Sequence, residues 1–405
     1  MKRAIFPVTL FFLVFLFQQA VFSSDKSWTV MVYSCADNDL QDALLADLNE
    51  MEMVGSGDDV NIVVQIDTLT PVRADTSETG WNTCRRYFVK KDEDMQKIGS
   101  ELIEDIGEVN MGDPQTLMHF IDFCHAKYPA MNYALILENH GDGWRRKSRE
   151  QQVRGVCYDE TSSNDGLTMP ELKQALDYGQ NVLCGKIKAM DFDACLMAMA
   201  EVASQIASAV DFVSFAEEVE PGPGNDYTAL LSQISGSTDG AAFTTAVVDT
   251  FLAGNGQNNT KSALDLSKLS AIEKAVDDFA VYCRDHIDTV RPSVKSALTQ
   301  VKRFQIQSYI DLVHMMELMK GDSVEAELSG KIDAVIASVK SGIIKNGNTT
   351  NANGLSIWFP EAQADFTAKP DYLALEFTQI TAWGEFLGKY LSSPDDTPDD
   401  PSPDL

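Results

Sequence analysis

Short apolar runs alternate with amphipathic stretches through the first half of the chain, and this alternation restricts the fold more than any other feature. The strand-like runs are Trp28 to Tyr33, Val60 to Ile66, Tyr133 to Leu137, Val153 to Tyr158, Ile187 to Phe192 and Phe212 to Ala216, with Arg85 to Val89 as an edge or hairpin strand. Between them lie helical signals. Leu40, Leu44, Leu48 and Met51 mark a helix over Leu40 to Val54. Asp113 before Pro114 starts a second helix that runs to near Lys127. Thr168, Pro170 and Glu171 form a capping-box start for a third, to about Tyr178, and Leu196 to Ile206 reads as a fourth. Strands alternating with helices build βαβ units, and their mostly parallel sheet is covered on both faces. Such sheets place their chemistry at the carboxyl ends of the strands.

Beyond Gly222 helical patterns dominate. They cover Tyr227 to Ile234, Ala241 to Ala253, Leu269 to His286, Ile310 to Met319, Val324 to Ile344 and Leu375 to Leu391, with one returning strand at Gly354 to Phe359. No long polar linker separates the two parts. The expected organisation is a catalytic domain over 24–265 and a helical C-terminal subdomain with one returning strand over 266–391. The last residues, 392–405, are only Ser, Pro, Asp, Thr and Leu, an acidic tail expected to be disordered. At the other end, Lys2 and Arg3 precede the apolar run Ala4 to Phe17, and small residues follow at Ser23 and Ser24. Residues 1–23 therefore read as a signal peptide, which implies a protein secreted to the extracellular or periplasmic space, with no membrane span. Against 32 basic residues stand 61 acidic ones, a formal charge of −29, which disfavours nucleic acid and anionic membranes as partners.

Two strand ends carry the chemistry. The run from Tyr133 delivers His140, followed at once by Gly141, Asp142 and Gly143. The run from Ile187 delivers Asp193, Ala194 and Cys195 just before an expected helix. At a helix N-terminus the Cys195 thiol would have a lowered pKa. A thiol and an imidazole at the same edge of one sheet form a nucleophile with its proton-transfer partner, and the backbone amides of Gly141 and Cys195 are the natural oxyanion donors. The seven cysteines are scattered, without a C-x-x-C pair, which argues against a zinc site. Their odd number leaves a thiol unpaired in an exported protein. Cys35 also follows a strand, but Asp37 and Asp39 would raise its pKa. Cys124 and Cys283 fall inside helices, and His119, His125, His286 and His314 read as surface or core.

His140-Gly141 after one strand and Asp193-Ala194-Cys195 after another resemble the signature of the caspase-like cysteine peptidases. The caspase pentapeptide is not met, since Leu196 and Met197 follow the cysteine. The specific resemblance is to the clostripain family. It rests on Trp28 to Tyr33, Asn139 to Trp144, Leu167 to Leu172, Asp193 to Met197, Glu217 to Gly224 and Gly354 to Pro360, in order along most of the chain. The resemblance implies a caspase-like α/β sandwich and a secreted cysteine endopeptidase with His140 and Cys195 as its dyad. It implies protein or peptide substrates with Arg, less often Lys, before the cut, and Asp193 as the acid that receives that side chain. Glu217, Glu218, Glu220 and Asp226 are further candidates for lining the same cleft. It also implies maturation by self-cleavage between the dyad residues, where Arg145, Arg146, Lys147, Arg149 and Arg154 offer basic sites in a polar loop. No cofactor is needed for the chemistry. Calcium is implied for some members, and the acidic runs Asp37 to Asp42 and Asp159 to Asp165 are candidates to hold it, though neither fits an EF-hand. Two other readings use the same residues: a non-catalytic exported binding protein on this fold, and a cysteine-dependent acyltransferase or transpeptidase.

Overall fold

The computed structural model describes residues 26–72, 80–146, 154–321, 325–367 and 370–392. The expected signal peptide lies outside these residues, as does the acidic tail beyond Ser392. A nine-stranded sheet forms the centre. Across it the strands run Ile343–Asn346, Ser262–Asp265, Val210–Phe215, Ile187–Asp193, Ala130–Glu138, Lys26–Ala36, Val60–Thr68, Cys84–Phe88 and Glu101–Gly107. The strands from Val210–Phe215 to Val60–Thr68 are mutually parallel, and the outer pairs on both sides are antiparallel.

Alternation along Lys26–Ala36 explains the layers. Met31, Tyr33 and Cys35 point into one core with helices Pro114–Lys127 and Met169–Val182, through Phe120, Ile121, Leu172 and Leu176. Trp28, Val30 and Val32 point into the other, against Leu44, Leu48 and Met51 of Gln41–Glu52 and Phe243 and Val247 of Gly240–Asn255. Helices thus cover both faces, as the alternation implied, and give the caspase-like α/β sandwich that the resemblance implied. The helix starts are capped as read: the Asp113 side chain accepts from the Gln115 amide, and the Thr168 amide donates to Glu171.

The C-terminal helices share this core. Phe279 of Leu269–Asp285, Val335 of Ala326–Gly342, and Trp383 and Phe386 of Trp383–Leu391 are fully buried in the same cluster as Met31, Leu135 and Met190. The structure departs from the sequence pattern in several places. The stretch from Ile310 starts as a short strand, Tyr309–Asp311, and the helix Leu312–Met319 begins only after Asp311 caps it. That strand pairs with Ser356–Trp358, so the returning strand joins a separate two-stranded ribbon and not the main sheet. Leu375 to Leu391 is two helices, Glu376–Ile380 and Trp383–Leu391.

Phe386 is 0% exposed, so Phe386→Ala is expected to cost about 3–5 kcal/mol. Urea unfolding followed by fluorescence and by far-UV circular dichroism should show one shared transition moving to lower denaturant. A separate early transition confined to part of the signal would mean that the C-terminal helices hold a core of their own.

Candidate active site

The strand register brings the two strand ends together. Leu137 lies opposite Phe192, and Glu138 opposite Asp193, in a parallel pair. His140 and Cys195 each stand two positions further along, so the chain delivers both at one level of one sheet edge. Both line a single cleft of about 610 Å³, with Asp39, Tyr158, Val219 and Ile306. Gly141 makes the approach possible, because a Cβ there would stand 2.4 Å from the Cys195 carbonyl oxygen.

His140 is half-buried. Its Nε2 lies 2.7 Å from Asp39 Oδ1, and its ring stacks on Tyr158 with centroids 5.9 Å apart. Asp39 follows the first strand end, where the carboxyl-end rule applies as it does to His140. The sequence pattern pointed to it only as a neighbour of Cys35 and as part of the acidic run Asp37 to Asp42, not as a partner of His140.

Cys195 departs from expectation. It sits in a turn, and the next helix, Ala200–Ile206, starts five positions later. The thiol is therefore not at the N-terminus of that helix. Leu196, at φ 64°, takes the left-handed conformation that turns the chain. The Leu196 and Ala198 amides donate to Glu218 and Ala216, which pins the turn to the segment after Val210–Phe215. Burial pushes the Cys195 thiol up to about 11, aided by the Glu220 and Asp193 carboxylates, while a hydrogen bond from the Glu220 amide to Sγ, at 3.3 Å, works the other way. The lowered pKa expected from a helix dipole is therefore reversed. Among the described residues no backbone acceptor engages the Cys195 amide.

Asp193 ends its strand beside a small hollow of about 70 Å³, with Asp47, Glu220, Gly222 and Gly224 in its wall. Its Oδ2 accepts from the Asn225 amide (3.2 Å) and the Tyr227 hydroxyl (2.9 Å), whereas Oδ1 has no hydrogen-bond partner among the described residues. Asp193 does not cap the following helix. Asp47 was not anticipated, although a carboxylate between Leu44 and Leu48 in an apolar helical stripe was a visible anomaly. Burial raises its pKa strongly, and Glu138, Asp193 and Glu50 raise it further. Of the acids near Glu217 to Asp226, Glu220 lines the hollow. Glu217 instead accepts from the Gly354 amide, Glu218 from the Gln305 amide, and Asp226 caps Tyr227–Leu231. Fully buried Lys261 holds Glu220 at 2.8 Å and Asp191 at 3.3 Å.

The basic cluster after the histidine is not simply a loop. Arg145 and Arg146 end the strand Gly141–Arg146, and Arg154 begins its antiparallel partner Arg154–Asp159. Lys147 and Arg149 lie outside the described residues.

A second group of acids stands beside the histidine. Asp37, Asp67, Glu108 and Asp159 each bring a carboxylate oxygen within 4.8 Å of the others. Each sequence run singled out for calcium supplies one of these, Asp37 and Asp159. The other two come from Val60–Thr68 and from the residue after Glu101–Gly107. The donors are all hard oxygens, which suits calcium better than zinc.

Comparison with known proteins agrees with this architecture. Residues 32–390 match the family profile described as the Clostripain family. Clostripain of Hathewaya histolytica is 28% identical over 358 residues, covering 76% of this chain and 65% of that protein. The chain thus spans about 65% of the length of that curated relative. A secreted C11 cysteine protease from Bacteroides thetaiotaomicron, solved with an irreversible peptide inhibitor, superposes with a TM-score of 0.66 at 19% identity, over 88% of this chain and 99% of that one. An inactive zymogen C11 protease from Parabacteroides distasonis gives a TM-score of 0.66 at 17% identity, over 89% and 99%. These two structures share the fold.

The raised thiol has a measurable consequence. Thiolate builds up only as pH rises towards about 11. Brief iodoacetamide treatment of the substrate-free protein, read by peptide mapping, should show Cys195 alkylation still climbing towards that pH. A plateau near the ordinary thiol value of about 8.5 would contradict it.

Proposed function

The chain belongs to the clostripain family, and from that premise we propose that it is an exported cysteine endopeptidase that cuts after arginine, and less often lysine, with His140 and Cys195 as its dyad. One observation carries the reading: neighbouring parallel strands in fixed register present the imidazole and the thiol to the same cleft.

In this reading the Cys195 proton passes to His140 as a peptide binds, because the resting thiol is held protonated by burial. The sulfur then attacks the peptide carbonyl carbon. Negative charge on the carbonyl oxygen is met by the amides of Gly141 and Cys195. The intermediate collapses to a thioester as protonated His140 gives its proton to the departing amine. Water, deprotonated by His140, attacks the thioester carbonyl, and the thiol leaves with the proton restored. Asp39 on Nε2 and Tyr158 against the ring hold the imidazole. The Glu220 amide on Sγ favours the sulfur as it gains charge.

The side chain before the cut enters the hollow beside Asp193. The unpartnered Oδ1 offers a guanidinium a charge-assisted bond, and Asp47, whose carboxyl burial holds protonated at rest, can ionise once a cation enters. Gly222 and Gly224 keep the wall free of side chains. A bound cation relieves the repulsion that burial imposes on these acids, which favours Arg or Lys over neutral residues. The active form is a nicked two-chain protein, cut at one of Arg145, Arg146, Lys147, Arg149 or Arg154.

Reporter peptides with Arg, Lys, Leu or Asp before the cut should be hydrolysed by the wild type in the order Arg, Lys, then the rest far behind. Asp193→Ala should lose Arg cleavage by about 100-fold or more, a loss in line with leaving a buried charge unpaired, and Cys195→Ala should lose all activity. Unchanged preference in Asp193→Ala would refute the pocket assignment. Intact mass and N-terminal sequencing should find the nick in wild type and not in Cys195→Ala, and equal nicking in both would refute self-processing.

A further inference from the structure

A fully buried lysine stands behind the nucleophile, and the peptidase chemistry gives it no task. Lys261 precedes the strand Ser262–Asp265 and is 0% exposed. An ammonium removed from water is tolerable only where its three hydrogens find acceptors. Here they do. Nζ donates to the Phe192 carbonyl at 2.9 Å, and lies 2.8 Å from Glu220 Oε1 and 3.3 Å from Asp191 Oδ1. The Phe251 ring packs against it, with the centroid 5.0 Å away. Bonds to three segments leave the side chain one seat.

Each acceptor leads to a part of the site. Glu220 is the residue whose amide touches Cys195 Sγ. The start of its segment is pinned as well, because the Glu218 amide donates to Thr260 Oγ1 at 2.9 Å and the Glu218 carbonyl accepts from the Leu196 amide. Asp191 accepts from the Asn225 side-chain amide at 2.7 Å, and the Asn225 backbone amide donates to Asp193 Oδ2. The Phe192 carbonyl belongs to the peptide bond that joins Phe192 to Asp193. One ammonium thus grips the wall beside the sulfur and the backbone and side-chain supports of the acid in the hollow.

We infer, on the roles proposed above for Cys195 and Asp193, that Lys261 is a positioning residue that holds the nucleophile and the acid of the hollow in one fixed relation. A buried ion pair adds little net stability over apolar residues of the same size, so the geometry it imposes is what this charge contributes. The same charge favours the Cys195 thiolate, against Glu220 and Asp193.

Lys261→Met keeps an unbranched apolar stem and removes the ammonium. Brief iodoacetamide treatment at about pH 8 reads Cys195 without any substrate. Its alkylation should slow about 10-fold, because the sulfur loses both the fixed amide and the nearby cation that favour thiolate. A lysine that only fills space would leave the rate unchanged, and one that only holds the fold together would, once removed, expose the sulfur and raise it. Hydrolysis of arginine and leucine reporters reads the other arm, and the ratio of their kcat/KM values should fall about 10-fold or more as Asp193 loses its aim. Asn225→Ala cuts only the arm to Asp193. It should lower that ratio while Cys195 alkylates at the wild-type rate. If Lys261→Met does not fold, Lys261→Met/Asp191→Asn removes one of the two stranded carboxylates. By far-UV circular dichroism this double variant should fold, and its alkylation should be equally slow. Failure of both variants to fold would assign Lys261 to stability alone and overturn the inference. Wild-type or faster alkylation in a folded variant lacking Lys261 would overturn the sulfur arm, and an unchanged arginine-to-leucine ratio would overturn the Asp193 arm. A wild type that does not prefer arginine refutes the reading of the hollow instead, and the alkylation rates still decide the role of Lys261.

Discussion

The backbone ladder between Ala130–Glu138 and Ile187–Asp193 is the constraint on which the rest of this structure depends. Parallel pairing puts Glu138 opposite Asp193. His140 and Cys195 each stand two positions beyond that pair. A slip of one residue would send His140 or Cys195 to the other face. The ladder resists such a slip because Leu135, Leu137, Met190 and Phe192 fill one core while Ala134, Ile136 and Ala189 fill the other. The hydrophobic pattern of two strands thus fixes the geometry of a polar site that contains none of those residues.

Around this edge the protein assembles an unusual density of buried carboxylates. Asp191 and Glu220 share the single positive charge of Lys261, which in turn steadies the backbone that donates to Cys195 Sγ. Asp47 and Asp193 line the small hollow, and Glu138 stands near enough to raise the Asp47 carboxyl further. Asp37, Asp67, Glu108 and Asp159 form the third group, on the histidine side. Burial without a counter-charge is destabilising, and burial accordingly pushes the carboxyls of Asp47 and Glu138 up. The Cys195 thiol is raised mainly by its own burial, with smaller contributions from Glu220 and Asp193.

Much of this was legible in the sequence because it is written in short periodicities. The apolar runs at Trp28, Val60, Tyr133, Ile187 and Phe212 predicted the parallel strands. The carboxyl-end rule then led to His140 and Cys195 without any coordinates. The unread parts have physical reasons. The strands Ser262–Asp265 and Ile343–Asn346 are four residues each, too short for alternation to stand out from the helices around them. The turn after Cys195 looked helical because Leu196, Met197, Ala198 and Met199 are good helix formers. The pairing of Met199 with Ser356, a contact across 157 positions, overrides that propensity. Asp67 and Glu108 could not be read as partners of Asp37 and Asp159, since four separate segments bring them together. Asp47 alone left a mark, as a charge in an apolar stripe.

The central claim is that one thiol, at position 195, reacts with a peptide held in the cleft. Incubation with a peptidyl chloromethyl ketone ending in arginine, followed by peptide mapping of all seven cysteines, tests it most directly. The account predicts a single adduct on Cys195, formed far faster than with the matching leucine ketone and absent from protein unfolded in urea at the same reagent concentration. An adduct on exposed Cys184 with Cys195 unmodified, or equal rates for the arginine and leucine reagents, would contradict it.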